Sequence, residues 1–157
     1  MSIAVHVDLE AIARLQERIA KLGAMDTRSL MDDLGAEMVS QTKRRIESEK
    51  RGPDGTAWPA WSDGCAATRH GNQSLLIAGG GLLDDVQHQV ASGGNSVEVG
   101  SNLVYAAAHQ FGLDMSVVST KRRVSIPARP FLGLSEENIS DLSAIVDDFI
   151  DRQLEAM

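Results

Sequence analysis

Cysteine is nearly absent from this chain of 157 residues, and aromatic residues and prolines are scarce. The single cysteine, Cys65, cannot form an internal disulfide, which favours a reducing compartment. No apolar run approaches the roughly 20 residues that span a bilayer, so the sequence predicts no transmembrane helix. Acidic residues near the N-terminus, Asp8 and Glu10, disfavour a secretory signal. The remaining composition, 43% hydrophobic and 24% charged, excludes a collagen-like or disordered chain.

Basic residues are the minority among the charged side chains. The chain has 15 Lys and Arg against 22 Asp and Glu, for a net charge of -7. Residues 135–157 contain seven acidic residues and one basic residue, so this segment alone contributes -6. Since affinity for nucleic acid depends on cations that neutralise phosphates, this charge disfavours nucleic-acid binding. The length suits one domain, which we predict to cover residues 1–157.

Apolar residues recur at helical spacing at both ends of the chain. The pattern predicts a helix over Leu9–Leu22 with Asp8 as its N-cap, and a second helix over about Ser29–Lys50. The basic end of the second helix, Lys43–Arg45, is typical of a solvated C-terminal turn. Ser135 is the predicted N-cap of a final amphipathic helix whose acidic residues take the polar side.

Strand patterns occupy the middle of the sequence. Val86–Val90 and Val97–Val99 alternate around a Gly-containing loop, which predicts a β-hairpin, and residues 117–126 predict a further strand. Short helices are predicted over Leu82–Asp85 and Leu103–Phe111, and a flexible loop over residues 62–74. The fold class is therefore α+β: N-terminal helices, a small antiparallel sheet with a β-hairpin and a C-terminal amphipathic helix, in a single domain.

No pattern typical of catalysis, cofactor binding or metal binding is present. Gly79–Gly81 is not followed by the lysine of a phosphate-binding loop, and the four histidines do not cluster at metal-ligand spacing. Cys65 and His70 stand five positions apart, and a hydrolase that uses them remains an alternative that would need a pocket and an orienting group. We therefore predict no catalytic residue, no metal ligand and no cofactor.

Several residues are candidates for contact with partners instead. Trp58 and Trp61 either cap the core beneath a loop or fill a partner's pocket. The basic triplet Lys121–Arg123 either protects a sheet edge or contacts an acidic partner. The proline-containing segment Ile126–Phe131 either braces the last helix or anchors a partner. The candidate interface residues are Trp58, Trp61, Lys121, Arg122, Arg123, Arg129, Phe131, Asp147, Asp148 and Asp151.

Three blocks of the sequence, in order, resemble the phage virion morphogenesis family, which includes tail-completion proteins of Mu-like phages and prophages. The first is a basic helix end followed by a Pro-Asp-Gly turn and Trp58. The second reads VEVGSNLVYAAAHQFG over Val97–Gly112, and the third reads IPARPFLGL over Ile126–Leu134. The third block precedes an acidic amphipathic helix, as in the family. Together the blocks cover most of the chain.

The resemblance implies a structural virion protein that acts in tail completion or head–tail joining. It implies no enzymatic activity, partners among other tail or neck proteins, and assembly in the bacterial cytoplasm into the virion. Proteins at such positions usually form rings, and we expect the acidic C-terminal helix and the basic groups Lys43–Arg45 and Lys121–Arg123 to guide neighbouring copies into register. The alternative is a small DNA-binding or regulatory prophage protein that uses the basic end of the second helix.

Overall fold

A computed structural model of the chain describes residues 9–23, 25–79, 81–117 and 122–156. It begins with α1 (Leu9–Gly23) and α2 (Arg28–Arg44), and α2 continues into a π-helical turn, Arg45–Glu49. Both predicted helices are confirmed within a residue or two, although the π-helical turn was not predicted. Lys50 then adopts a left-handed conformation with φ 54°, which ends the helix. The expected N-cap of α1, Asp8, lies outside the described residues.

The first hairpin consists of β1 (Gln87–Val90) and β2 (Val97–Gly100), paired antiparallel with His88 opposite Val99. This confirms the predicted hairpin. One face of it packs on α2 at Gly35, where an added Cβ would lie 2.5 Å from His88 Cδ2. The glycine therefore lets the helix approach the hairpin closely.

A second hairpin replaces the single strand predicted over residues 117–126. It pairs β3 (Leu113–Val117) with β4 (Arg122–Ile126), antiparallel and in a sheet separate from the first. The prediction of one strand was wrong because the apolar alternation does not reveal where the chain reverses. Among the described elements, β3 and β4 pack mainly on each other.

The remaining elements are helices. They are α3 (Asp63–Ala66), α4 (Gly81–Asp85), α5 (Ala106–Phe111) and α6 (Glu136–Glu155). Ser135 is the N-cap of α6, as predicted, and its hydroxyl accepts a hydrogen bond from the Asn138 N–H at 3.2 Å. The Asn138 side chain accepts one from the Ser135 N–H, which completes a capping box. The segment expected to be a loop, residues 62–74, includes α3.

The core is built from residues spread along the chain: Ile46, Trp58, Leu82, Val86, Ala106 and Phe131. The architecture is thus the predicted mixed α+β class in one compact domain, with two small antiparallel sheets. None of the helices in the described ranges is long and apolar enough to cross a membrane.

Candidate functional site

A buried arginine, Arg45, fixes the segment that precedes α6. Its side chain is 2% exposed, and its Nη1 donates to the carbonyl oxygens of Phe131 and Gly133, both at 2.9 Å. Its Nη2 donates to Asn138 Oδ1 at 2.6 Å, so the same asparagine serves the capping box and the arginine. Burial lowers the pKa of Arg45. The interpretation of Lys43–Arg45 as a solvated terminus is therefore wrong for Arg45, because three distant acceptors replace water.

A second buried arginine, Arg129, holds the loop that follows Trp58. Its Nε donates to the Pro59 carbonyl at 2.9 Å and its Nη2 to the Ala60 carbonyl at 3.0 Å. Its backbone N–H donates to the His109 carbonyl at 2.7 Å. The side chain is 6% exposed, and burial lowers its pKa. Arg129 thereby joins the strand end after β4, the loop at residues 59–60 and α5.

These contacts frame a cavity of about 540 Å³ that the sequence did not predict. Its volume lies within the roughly 300–1,000 Å³ typical of ligand pockets. Apolar walls come from Trp61, Leu76, Ile77 and Ile126, and Cys65 also lines it. The lining residues lie in five separate stretches of the chain: 60–69, 74–79 with 81–82, 105, 109 and 125–129. Because no one stretch forms the walls, no local motif marks them.

The charged side chains in the cavity wall are cationic. Arg69 and Arg129 line it, and no acidic side chain of the described residues does. The Arg69 guanidinium lies over the Trp61 ring, with its Cζ 5.2 Å from the ring centroid, and its Nη2 lies 3.3 Å from Cys65 Sγ. Neither arginine forms an ion pair with any carboxylate in the described part of the chain. The cavity is therefore positive in a protein that is negative overall.

Two buried nitrogens at the cavity lack hydrogen-bond partners among the described residues: Arg69 Nε and His109 Nδ1. The His109 ring packs edge-on against Tyr105, with 5.9 Å between ring centroids. Burial, and then the charge of Arg129, lower the pKa of His109, so its neutral form is favoured. Buried polar groups normally have hydrogen-bond partners, so each of these two nitrogens in the cavity wall can form one further hydrogen bond.

Trp58 and Phe131 lie in the core. Phe131 is 0% exposed, and its N–H donates to Gln110 Oε1 at 2.9 Å. Trp58 is 6% exposed, and its Nε1 donates to the Pro130 carbonyl at 3.0 Å. The burial of Trp58 favours the core-capping interpretation, whereas bracing of the last helix by the segment that contains Phe131 stays a prediction. A partner would have to open the core to contact either ring.

The charged candidates lie elsewhere. Asp147, Asp148 and Asp151 are exposed on α6, where Asp148 pairs with Arg152 at 3.1 Å. Arg123 is exposed on β4. Lys121 and the side chain of Arg122 lie outside the described residues. The structure therefore does not bring the described acidic and basic candidates together within one copy.

Sequence reasoning missed an exposed apolar surface beside the cavity. Five large apolar side chains are exposed within residues 104–115: Val104 at 98%, Tyr105, Phe111 at 79%, Leu113 and Met115. We call these five residues the apolar arm. Leu113 and Met115 share one face of β3 because alternate residues of a strand do. Apolar groups exposed together commonly mark contact surfaces.

The proposed nucleophile pair is not assembled. Cys65 is half-buried beside Arg69, whereas His70 is exposed, and no hydrogen bond joins them in the described part of the chain. Cys65 and His109 both line the cavity, again without a hydrogen bond between them among the described residues. Within those residues no group of histidine, cysteine and acidic side chains is placed to hold a metal ion.

Comparison with known proteins places the chain in a family. The profile of the phage virion morphogenesis family matches residues 7–153. The chain is 30% identical over 145 residues to the Mu-like prophage FluMu G protein 2 of Haemophilus influenzae, covering 89% of each. It is also 36% identical over 84 residues to an uncharacterised protein of Methanocaldococcus jannaschii, covering 52% of this chain and 56% of that one. No solved structure matches significantly.

The chain therefore belongs to the phage virion morphogenesis family. The resemblance inferred from the three sequence blocks is confirmed. A role in building the phage particle, with other phage structural proteins as partners, follows from that membership.

Proposed function

We propose that this protein is a structural component of a tailed phage or prophage that completes the tail or joins it to the head by subunit contacts, without a catalytic step. The observation that carries the proposal is the apolar arm. Its Val104 and Phe111 expose 98% and 79% of their surface. Covering such surface with a neighbouring subunit supplies affinity through burial of apolar area.

The shape around the arm supports a contact between subunits. Gly112 follows α5 with φ 79°, and an added Cβ there would lie 3.1 Å from the Ala128 N. The chain thus turns tightly from α5 into β3, and β3 and β4 pack mainly on each other among the described elements. Leu113 and Met115 of this hairpin are exposed and can contact a neighbour. Such a contact between unlike patches generates a ring when it closes.

Charge supplies orientation in this proposal. The acidic α6 and Arg123, which is exposed on β4, give one copy exposed charges of opposite sign on different elements. Opposite charges speed and orient an encounter more than they strengthen the complex. Arg45 takes no part in this steering because it is buried.

The test is genetic complementation followed by electron microscopy of the particles. A phage that lacks this protein is expected to accumulate heads and tails that remain unjoined. A Phe111→Ser, Met115→Ser variant should fail to restore joined particles although its circular dichroism matches that of the wild-type chain. The matched control is Ile139→Ser, since Ile139 is a comparably exposed apolar residue, at 52%, in the first turns of α6.

Two results would contradict the proposal. Joined, infectious particles in the absence of the protein would remove the role in completion or joining. Full complementation by the double variant would show that the arm is not the contact surface. Retarded DNA in a gel-shift assay at physiological salt would instead favour the DNA-binding alternative.

A further inference from the structure

We propose that the cavity of one copy receives the last turns of α6 from a neighbouring copy. This inference rests on the proposed function, because it names a second contact in the same assembly. It starts from the cavity itself, which is apolar on most sides but has Arg69 and Arg129 in its walls and no described acidic residue. A fitting occupant has an apolar side chain flanked by carboxylates.

The end of α6 has that chemistry. Ile150 and Leu154 are exposed at 38% and 40%, and they stand four positions apart, so they form one row on the helix. Asp147, Asp151 and Glu155 are exposed and repeat at the same spacing. Asp147 stands three positions before Ile150 and Asp151 three positions before Leu154, so the acidic row runs beside the apolar row on the helix surface. The helix end thus presents apolar side chains next to carboxylates that have no described ion-pair partner.

The two surfaces complement each other in charge. Each guanidinium of the cavity lacks a carboxylate partner in the described part of the chain, and the Arg69 Nε lacks any hydrogen-bond acceptor. A carboxylate from Asp151 or Glu155 would supply both the charge and the acceptor. Charge-assisted bonds between guanidinium and carboxylate are among the stronger hydrogen bonds in proteins. Leu154 would at the same time cover the apolar wall formed by Trp61 and Leu76.

The same copy cannot fill its own cavity with this helix end. The wall residues 125–129 come just before α6 in the chain, and α6 has 20 residues, so it extends about 30 Å away from its start. Its final turns instead lie beside α2, where Asp148 and Arg152 face Asp33 and Glu37 across a shallow groove. Donor and acceptor surfaces at different places on one protomer define a head-to-tail contact.

Cys65 provides the readout, since it lines the cavity and is the only cysteine in the chain. The experiment measures its reaction rate with an aromatic disulfide reagent, and the sedimentation of the full chain, over a range of protein concentrations. The rate constant for Cys65 is expected to fall in step with the associated fraction. A neighbour's helix in the cavity would shield the thiol. Because the apolar arm reaches the cavity at Tyr105, charge reversals in the cavity and on the helix end distinguish the two contacts.

Two charge reversals identify the partners. Arg69→Glu changes the cavity and Asp151→Lys changes the helix end, and each is expected to weaken self-association at least about 10-fold. Mixed in equal amounts, the two variants should associate again and shield Cys65. The native helix end of the Arg69→Glu copy fits the native cavity of the Asp151→Lys copy, and the two changed surfaces have opposite charges. Glu98→Lys is the matched control, since Glu98 is exposed on β2 and its reversal changes net charge equally. Arg69→Gln serves as a milder cavity variant if Arg69→Glu does not fold.

The inference is overturned if the chain stays monomeric at its highest soluble concentration, or if Cys65 reacts at one rate throughout. Failure of the mixed variants to recover would overturn it too. Protection of Cys65 by decanoate or by a different virion protein, but not by a second copy, would assign the cavity to that occupant instead. None of these results affects the particle phenotype of the apolar-arm variant, so the proposed function and this inference fail separately.

Discussion

The guanidinium of Arg45 bonds to acceptors that lie 86 to 93 positions further along the chain. Three oxygens surround it, two from the backbone at Phe131 and Gly133 and one from the Asn138 side chain. The local sequence identifies only a basic helix end, because Lys43, Arg44 and Arg45 differ little in propensity. Burial of the third residue is decided by a segment that no local pattern connects to it. The sequence therefore predicted the helix but not the role of this side chain.

Replacing Arg45 tests that role at the residue scale. Arg45→Met keeps most of the volume but removes the donor to the carbonyls of Phe131 and Gly133. Asn138 Oδ1 then keeps only the Ser135 N–H, and an unsatisfied buried group costs about 1–3 kcal/mol. We expect the free energy of unfolding to fall by roughly 2 kcal/mol or more, measured by urea denaturation. Arg45→Lys should recover only part of the lost free energy of unfolding, because one ammonium group cannot place donors as the planar guanidinium does.

The neighbouring residue is the matched control for this measurement. Arg44 is half exposed and pairs with Glu49 at 3.2 Å. Exposed ion pairs contribute about 0–1 kcal/mol, so Arg44→Met should change the free energy of unfolding by no more than that. Equal effects of the two methionine substitutions would show that the buried hydrogen bonds of Arg45 add nothing to stability.

At the scale of elements, the two hairpins show where pattern reading succeeds and where it stops. The first was predicted because two alternating runs flank a clear Gly-Gly-Asn loop at residues 93–95. The second was read as one strand, because the β3 sequence Leu-Asp-Met-Ser-Val follows a glycine without a strong β-branched pattern. Leu113 and Met115 of β3 are exposed, so the usual alternation between a buried and a solvated face does not apply to this strand. The same exposed side chains make this hairpin a candidate contact surface and obscure the alternating pattern by which a strand is predicted.

The N-cap of α6 was predicted from the sequence and allows a direct test. Ser135→Ala removes the acceptor for the Asn138 N–H, and loss of an N-cap hydroxyl costs about 1 kcal/mol. The measurement is the midpoint of thermal or urea unfolding. Ser140→Ala is the control on the same helix, where the side chain is exposed and alanine is the better helix former, so no loss is expected. A loss of equal size at both serines would contradict a specific capping role.

At the scale of the whole molecule, the distribution of contacts explains why the cavity escaped prediction. The fold class, the helices, the first hairpin and the family all follow from local patterns or ordered blocks. The cavity instead requires Trp61, Leu76, His109 and Arg129 to meet, and these positions span much of the chain. Their proximity depends on long-range bonds such as that of Arg129 to the Ala60 carbonyl. Sequence periodicity does not show which distant residues come into contact.

The distribution of contacts between elements also predicts that stability against local unfolding differs across the molecule. The β1–β2 hairpin packs on α2, whereas β3 and β4 pack mainly on each other among the described elements, and an isolated two-stranded hairpin is marginal in water. Native-state hydrogen exchange should therefore give a lower opening free energy for β3–β4 amides than for β1–β2 amides, with the latter approaching the global value. In assembled protein the β3–β4 amides should gain protection, because the apolar arm is then covered. Equal opening free energies in the free chain, or unchanged β3–β4 exchange after assembly, would show that this hairpin is an integral part of the core and not a surface reserved for a neighbour.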